Sequence, residues 1–239
     1  MNRNRKRLVS AAMAAAMVLG SCMTAGANGA VTSNEVTERE ARNSDVSMNL
    51  ATQGMVLLQN KNNVLPMAAQ GSVAVFGTGA QRTVKGGTGS GDVNQRETVS
   101  VAEGFENAGY KVTTGSYIAA YEEAQKAAEE ASGNSWWSAP RAEEIEVTDE
   151  MLEESKADGT DTAVYVLGRI AGEGADRTVT PGDYELTDLE KANLEKIAAN
   201  FDKVVVVINA GGAVDTKFVG EIEGIDSVVV MGQAGQRGG

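Results

Sequence analysis

The sequence contains no histidine, and this absence restricts the chemistry that it can carry. Without histidine it can build neither a Ser/His/Asp nor a Cys/His nucleophile arrangement, and no zinc site with a histidine ligand. Carboxylates are then the best available general acids and bases. The only cysteine is Cys22, which excludes an internal disulfide and a cysteine-based metal cluster. We expect no metal and no cofactor.

Basic residues are also scarce, at 21 against 33 acidic residues, for a net charge of −12. A field of this sign repels phosphate backbones, so nucleic acid is not an expected partner. Apolar residues make up 42% of the chain and charged residues 23%, which is typical of a soluble globular protein. The length of 239 residues fits one domain with an export signal.

Residues 1–27 are typical of a signal peptide, with a basic start and an apolar run from Leu8 to Leu19 that is too short to span a bilayer comfortably. Residues 19–22 (LGSC) resemble the lipobox of bacterial lipoproteins, in which the cysteine is lipidated and becomes the new N-terminus. Secretion with cleavage after Ala27 is the alternative. Either route predicts an extracytoplasmic protein, at the bacterial cell surface or secreted, that touches a membrane only through a lipid on Cys22.

Residues 28–46 are polar and predict a tether or a helical lead-in to a domain over residues 47–239. Met48, Ala51, Met55 and Leu58 stand at near-helical spacing and predict a helix that an Asn-rich turn ends. Beyond it, nearly continuous β-branched runs predict four strands buried on both faces, over residues 72–76, 162–167, 203–208 and 227–231. Helices are predicted between them, over residues 101–108, 118–131, 149–156 and 188–199.

This alternation predicts an α/β fold with a mainly parallel sheet and helices on both faces. In such sheets ligands bind beyond the carboxyl ends of the strands. Two acidic stretches, around residues 122–130 and 143–154, are interpreted as solvated helix faces.

Two glycine clusters follow the first of these strands. The first, Gly77-Thr78-Gly79-Ala80, has Arg82 where a dinucleotide fingerprint needs its third glycine, and the second, over residues 85–91 (KGGTGSG), lacks the order of a phosphate loop. Four glycines among residues 86–91 would let backbone approach a ligand closely, while Thr88 and Ser90 offer hydroxyls. The cluster suits a sugar, with a flexible turn as the alternative.

The second predicted strand runs into residues 168–177 (GRIAGEGADR). Glu173 lies just beyond the strand and between two glycines, so its carboxyl should be exposed and its backbone free to bend. It is therefore a candidate catalytic acid. Asp176 and Arg177 could pair with each other or orient the segment.

Four strings together resemble the C-terminal α/β sandwich domain of glycoside hydrolase family 3. They are KGGTGSGD (residues 85–92), GRIAGEGADR followed by PGDYEL (residues 168–177 and 181–186), GQAGQRGG (residues 232–239) and the opening GMVLLQNKNNVLP (residues 54–66). They occur in the order and spacing of the family and span nearly all of residues 47–239.

The resemblance implies an exo-acting retaining glycosidase, similar to a β-glucosidase, that hydrolyses O-glycosidic bonds of an oligosaccharide or glycoside. Glu173 would be its acid/base. Ser90 would be the favoured direct sugar ligand, together with Lys85, Gly87, Thr88 and Gly89. The nucleophile, an Asp, would come from a separate (β/α)8 barrel domain that is missing from this sequence.

Because the export signal leads almost directly into this domain, we expect a domain-swapped family member in which the barrel follows, and a chain that is inactive alone. The alternative is a non-catalytic carbohydrate-binding surface lipoprotein, in which Trp136 and Trp137 form a stacking platform for sugar. Sugar and linkage specificity are not encoded in the residues discussed above.

Overall fold

The computed structural model describes residues 33–93, 95–132, 141–170 and 177–239, apart from the side chain of Ser90. Residues Asn43–Gly239 form one compact unit, which contains the whole sheet. Cys22, Glu173, Asp176, Trp136 and Trp137 lie outside the described residues. In the described part of the chain, no helix is long and apolar enough to cross a lipid bilayer.

Among the residues that the structure describes, six strands form one sheet, in the spatial order β1-β6-β5-β4-β2-β3. Every neighbouring pair is parallel except β1 with β6, so the prediction of a mainly parallel sheet is confirmed. The strands are β1 (Val56–Asn60), β2 (Gly71–Phe76), β3 (Tyr110–Val112), β4 (Thr162–Arg169), β5 (Lys203–Ala210) and β6 (Ser227–Val230).

The described residues form six α-helices beside the sheet, and all four helices predicted between the strands are present within a few residues of their expected ends. The helices are α1 (Glu38–Gly54), α2 (Val101–Asn107), α3 (Gly115–Ser132), α4 (Asp149–Ser155), α5 (Asp188–Ala198) and α6 (Phe218–Glu221). Two of them begin with a capping box, made by Ser100 and Glu103 at α2 and by Thr187 and Glu190 at α5. These boxes satisfy amides that the first helical turn leaves without partners, which fixes where each helix starts.

Helices cover both faces of the sheet, as expected. On one face, side chains of β4 and β5 such as Tyr165 and Val206 pack with residues of α3, α4, α5 and α6. On the other face, Val164 and Val205 pack with Val101 of α2. Alternate residues of the same strands enter the two cores, which is why these strands are continuous apolar runs in the sequence.

The helix predicted over Met48 to Leu58 is correct only in its first part. Helix α1 ends at Gly54, and Val56–Asn60 is instead the edge strand β1, antiparallel to β6. The Asn60 side chain fixes this strand, because it accepts a hydrogen bond from the Leu65 amide at 3.0 Å and another from the Ser227 hydroxyl at 2.8 Å. Pairing with β6 therefore outweighs the helical spacing of the apolar residues.

Candidate functional site

The two segments singled out in the sequence follow β2 and β4, which are neighbours in the sheet. From β2 the chain moves to β3 on one side, whereas β4, β5 and β6 follow one another on the other side. The strand order therefore reverses between Phe76 and Arg169, the last residues of β2 and β4. Crevices at such a reversal are the usual ligand sites of open α/β sheets.

The first glycine cluster packs against β4. Gly77 has φ +90°, and a Cβ added there would lie 2.5 Å from the Val166 carbonyl oxygen. A Cβ on Gly79 would lie 2.5 Å from the Cγ1 atom of Val166, and the Gly79 amide donates to the Val166 carbonyl at 3.0 Å. Both glycines are thus required for close packing between the turn and the strand. This accounts for the cluster without a bound nucleotide.

The second cluster borders a cavity of about 380 Å³ at the carboxyl edge of the sheet. This volume is within the usual range for small-molecule sites. Lys85, Gly87 and Thr88 line the cavity, and the Lys85 ammonium forms an ion pair with Asp92 at 3.3 Å. Gly89 is exposed and has φ +66°. Of the predicted sugar ligands, three therefore share one cavity.

A second cavity, of about 500 Å³, lies beside the residues that flank Glu173. Its lining includes Arg169, Ile170 and Arg177. Arg141 and Ile170 line both cavities, so the two cavities adjoin. The glycine segment borders one of them, and the residues before and after the segment that carries Glu173 border the other.

Arg169, the last residue of β4, is buried and holds in place the chain that leads into the segment with Glu173. Its two terminal nitrogens each donate to a carboxylate oxygen of Glu190 at 2.6 Å, and its Nε donates to the Asp183 carbonyl at 3.0 Å. Two parallel bonds of this kind fix both distance and orientation.

Arg177 holds in place the chain that follows the segment with Glu173. Its guanidinium forms an ion pair with the Asp183 carboxylate and donates to the Asp183 carbonyl at 2.6 Å. The hydrogen bond from the Thr178 amide, together with the positive charge of Arg177, lowers the pKa of Asp183. The partner of Arg177 in the described residues is therefore Asp183, and the predicted pairing with Asp176 falls outside them.

Glu144 lines the larger cavity, and the sequence pattern misplaced it. It lies in a segment without regular secondary structure, not on a solvated helix face, and only 8% of it is exposed. Its carboxylate accepts hydrogen bonds from the hydroxyls of Tyr117 at 2.6 Å and Tyr165 at 2.5 Å, and from the Ile145 amide at 3.0 Å. Burial raises the pKa of Glu144 despite these bonds.

Arg141 lines both cavities and was not singled out in the sequence. One terminal nitrogen donates to the carbonyls of Thr78 at 2.5 Å and Arg82 at 2.6 Å. Burial lowers the pKa of Arg141. The side chain thus ties the first glycine cluster to the segment that carries Glu144, a link between distant parts of the chain that no local pattern reveals.

Comparison with known proteins identifies the family of this domain. Residues 55–239 match the model of the glycosyl hydrolase family 3 C-terminal domain. A β-glucosidase from Ruminococcus albus is 36% identical over 188 residues, which cover 78% of this chain and 20% of that protein. β-Glucosidase A from Butyrivibrio fibrisolvens is 33% identical, over 82% of this chain and 26% of its own length.

Among solved structures, β-glucosidase 3B from Thermotoga neapolitana in complex with glucose superposes with a TM-score of 0.72 at 30% identity, over 83% of this chain and 28% of that one. A β-glucosidase from Paenibacillus barengoltzii gives a TM-score of 0.71 at 31% identity, over 81% of this chain and 21% of that one. The chain thus spans about a fifth to a quarter of the length of the curated relatives named above. On the match over residues 55–239, the chain belongs to glycosyl hydrolase family 3, whose C-terminal domain it contains.

Proposed function

We propose that this chain supplies the sugar-binding segment and the acid/base carboxyl of a retaining glycoside hydrolase that acts on β-glucosides. The proposal rests on two adjoining cavities at the point where the strand order reverses. Lys85, Gly87 and Thr88 line one of them, and Ile170 and Arg177 line the other. The names of the matched relatives support a β-glucoside as the substrate.

Glu173 would act in both half-reactions. A carboxylate on the barrel domain attacks the anomeric carbon while the Glu173 carboxyl gives its proton to the departing glycosidic oxygen. The resulting carboxylate then takes a proton from the water that attacks the glycosyl-enzyme bond, so the proton count balances over the cycle. In such enzymes the two carboxyl groups stand about 5–5.5 Å apart.

Glu173 must be protonated when the substrate binds, so the complete enzyme has to raise its pKa. Closure of a barrel domain over the carboxyl edge of the sheet would remove water from this carboxyl and so raise its pKa. The (β/α)8 barrel is therefore the proposed partner, and it would also supply the nucleophile.

Glu173→Gln in a complete enzyme that contains this domain tests the acid/base role. We expect turnover of cellobiose, whose leaving group needs a proton, to fall by about 10²–10⁴-fold. Release of dinitrophenol from a dinitrophenyl β-glucoside needs no acid, and azide should restore its steady turnover because azide attacks without a base. Glu146→Gln, at an exposed carboxyl, is the matched control. Equal loss on both substrates, without rescue by azide, would contradict the role.

Glucose binding without turnover in the complete protein would instead support the non-catalytic carbohydrate-binding alternative.

We also propose that Cys22 carries a lipid and anchors the protein at the cell surface. Mass spectrometry of the N-terminal peptide from the bacterial membrane fraction tests this, with Cys22→Ser as the control. An unmodified N-terminus directly after Ala27 would show simple secretion.

A further inference from the structure

Val84, the residue directly before the sugar-binding segment, is held by a side chain of β5. Asn209, near the end of β5, is fully buried. Its Oδ1 accepts a hydrogen bond from the Val84 amide at 2.5 Å, and its Nδ2 donates to the Val84 carbonyl at 2.9 Å. One side-chain amide thus satisfies both backbone groups of Val84, in the manner of a strand partner.

The same Nδ2 group makes a third bond, to the Gly232 carbonyl at 2.7 Å just after β6. Close by, the Gly235 amide donates to the Lys85 carbonyl at 3.0 Å. Asn209 therefore joins the start of the glycine segment to the chain that follows β6. The position needs one acceptor and two donors at the end of a short side chain, which only asparagine provides.

We propose that Asn209 is a positioning residue that presets the segment Lys85–Gly91 for sugar. The inference rests on the proposed function of that segment. Four of its seven residues are glycines, and ordering glycine backbone on ligand binding is entropically costly. A fixed starting point lowers this cost before the ligand arrives.

Asn193 offers a matched control, because its side chain also bridges a backbone amide and a backbone carbonyl elsewhere in the fold. It is buried on α5, accepts from the Val147 amide at 3.0 Å and donates to the Ile145 carbonyl at 2.8 Å. Asn→Asp at either position removes the donor and leaves a carboxylate facing a carbonyl. Both variants should lose global stability, but only Asn209→Asp should release the glycine segment.

The test is amide hydrogen exchange of the 239-residue chain, followed by NMR for Val84 and by mass spectrometry for residues 77–100. At pH 7 we expect Asn209→Asp to lower the protection of Val84 by about tenfold or more relative to the wild type, because repulsion between the new carboxylate and the Val84 and Gly232 carbonyls moves the acceptor oxygen away from the Val84 amide. Near pH 4.5 a protonated Asp could donate to one carbonyl, so part of the protection should return. Asn193→Asp should leave Val84 unchanged at both pH values. If Asn209→Asp does not fold, Asn209→Ser replaces it with the same expectation at pH 7.

A glucose titration of the same samples by NMR completes the test, with binding by Asn209→Asp expected to be at least about tenfold weaker. Unchanged Val84 protection, or glucose affinity equal to that of the wild type, would overturn the role of Asn209. A wild-type chain that binds no glucose would count against the proposed function of the segment. The exchange measurement, which involves no sugar, would still decide whether Asn209 holds it.

Discussion

Arg169 and Glu190 form a buried, two-point ion pair at the carboxyl end of β4, with both N···O distances at 2.6 Å. Glu190 also accepts from the Thr187 amide at 2.8 Å in the capping box of α5. The pair therefore connects a strand end, a helix start and one flank of the Glu173 segment. Its removal should affect both stability and the site.

Glu190→Gln should destabilise the chain by about 3 kcal/mol, because it leaves the Arg169 guanidinium buried without its counter-charge. Urea unfolding of the purified chain measures this. Glu221→Gln, which breaks an exposed pair between Lys191 of the same helix and Glu221, should cost less than about 1 kcal/mol. Similar losses in the two variants would show that the buried pair contributes no more than a surface one.

Glu144 should make the stability of the chain depend on pH. Burial raises its pKa in the folded state, so the fold binds the proton more tightly than the unfolded chain does. Its contribution is therefore fully present below the unfolded value, about 4.3, and is lost as pH rises through the folded value, with a slope of at most about 1.4 kcal/mol per pH unit.

Unfolding of the wild type and Glu144→Gln between pH 4 and 8 checks this expectation. The stability of the wild type relative to the variant should fall as pH rises. Glu143→Gln, at the neighbouring exposed carboxyl, is the matched control for removing one charge. A wild-type advantage that grows with pH would reverse the sign and indicate that the two tyrosine hydroxyls stabilise the ionised carboxylate more than burial opposes it.

Gly77→Ala should be one of the most destabilising single substitutions in residues 43–239, and should lower the free energy of unfolding by roughly 3 kcal/mol or more. Its backbone has φ +90°, and the added methyl group would meet the Val166 carbonyl at 2.5 Å, where backbone cannot yield cheaply. Gly91→Ala is the control, since a Cβ added there would have nothing within 4 Å, and it should change stability by less than about 1 kcal/mol. Thermal unfolding followed by circular dichroism separates the two, and comparable losses would mean that the turn relaxes away from β4.

Local signals predicted most of the fold. The runs that became β4 and β5 are apolar at nearly every position because helices cover both faces of the sheet. Strand β1 was missed because its identity depends on pairing with β6, about 170 residues later, which outweighs a local helical spacing.

The site was predictable only in part, for the same reason. Glycine-rich strings and the family resemblance identified the segments after β2 and β4, which the sheet order makes neighbours. Glu144 looked like one more surface carboxylate in an acidic stretch, and its burial depends on tyrosines from α3 and β4. Asn209 carries no local pattern at all, because its partners Val84 and Gly232 are distant in sequence.

The purified 239-residue chain should hydrolyse no aryl β-glucoside. Catalysis of the proposed kind needs a nucleophilic carboxylate opposite the acid/base, and the resemblance assigns that carboxylate to a separate barrel domain. Without the barrel, Glu173 would also lack the burial that keeps a carboxyl protonated near neutral pH. The measurement is release of nitrophenol from nitrophenyl β-glucoside, with Glu173→Gln as the matched control for contaminating activity. A rate that exceeds the control would mean that this domain holds its own nucleophile, and the division of the active site between two domains would have to be abandoned.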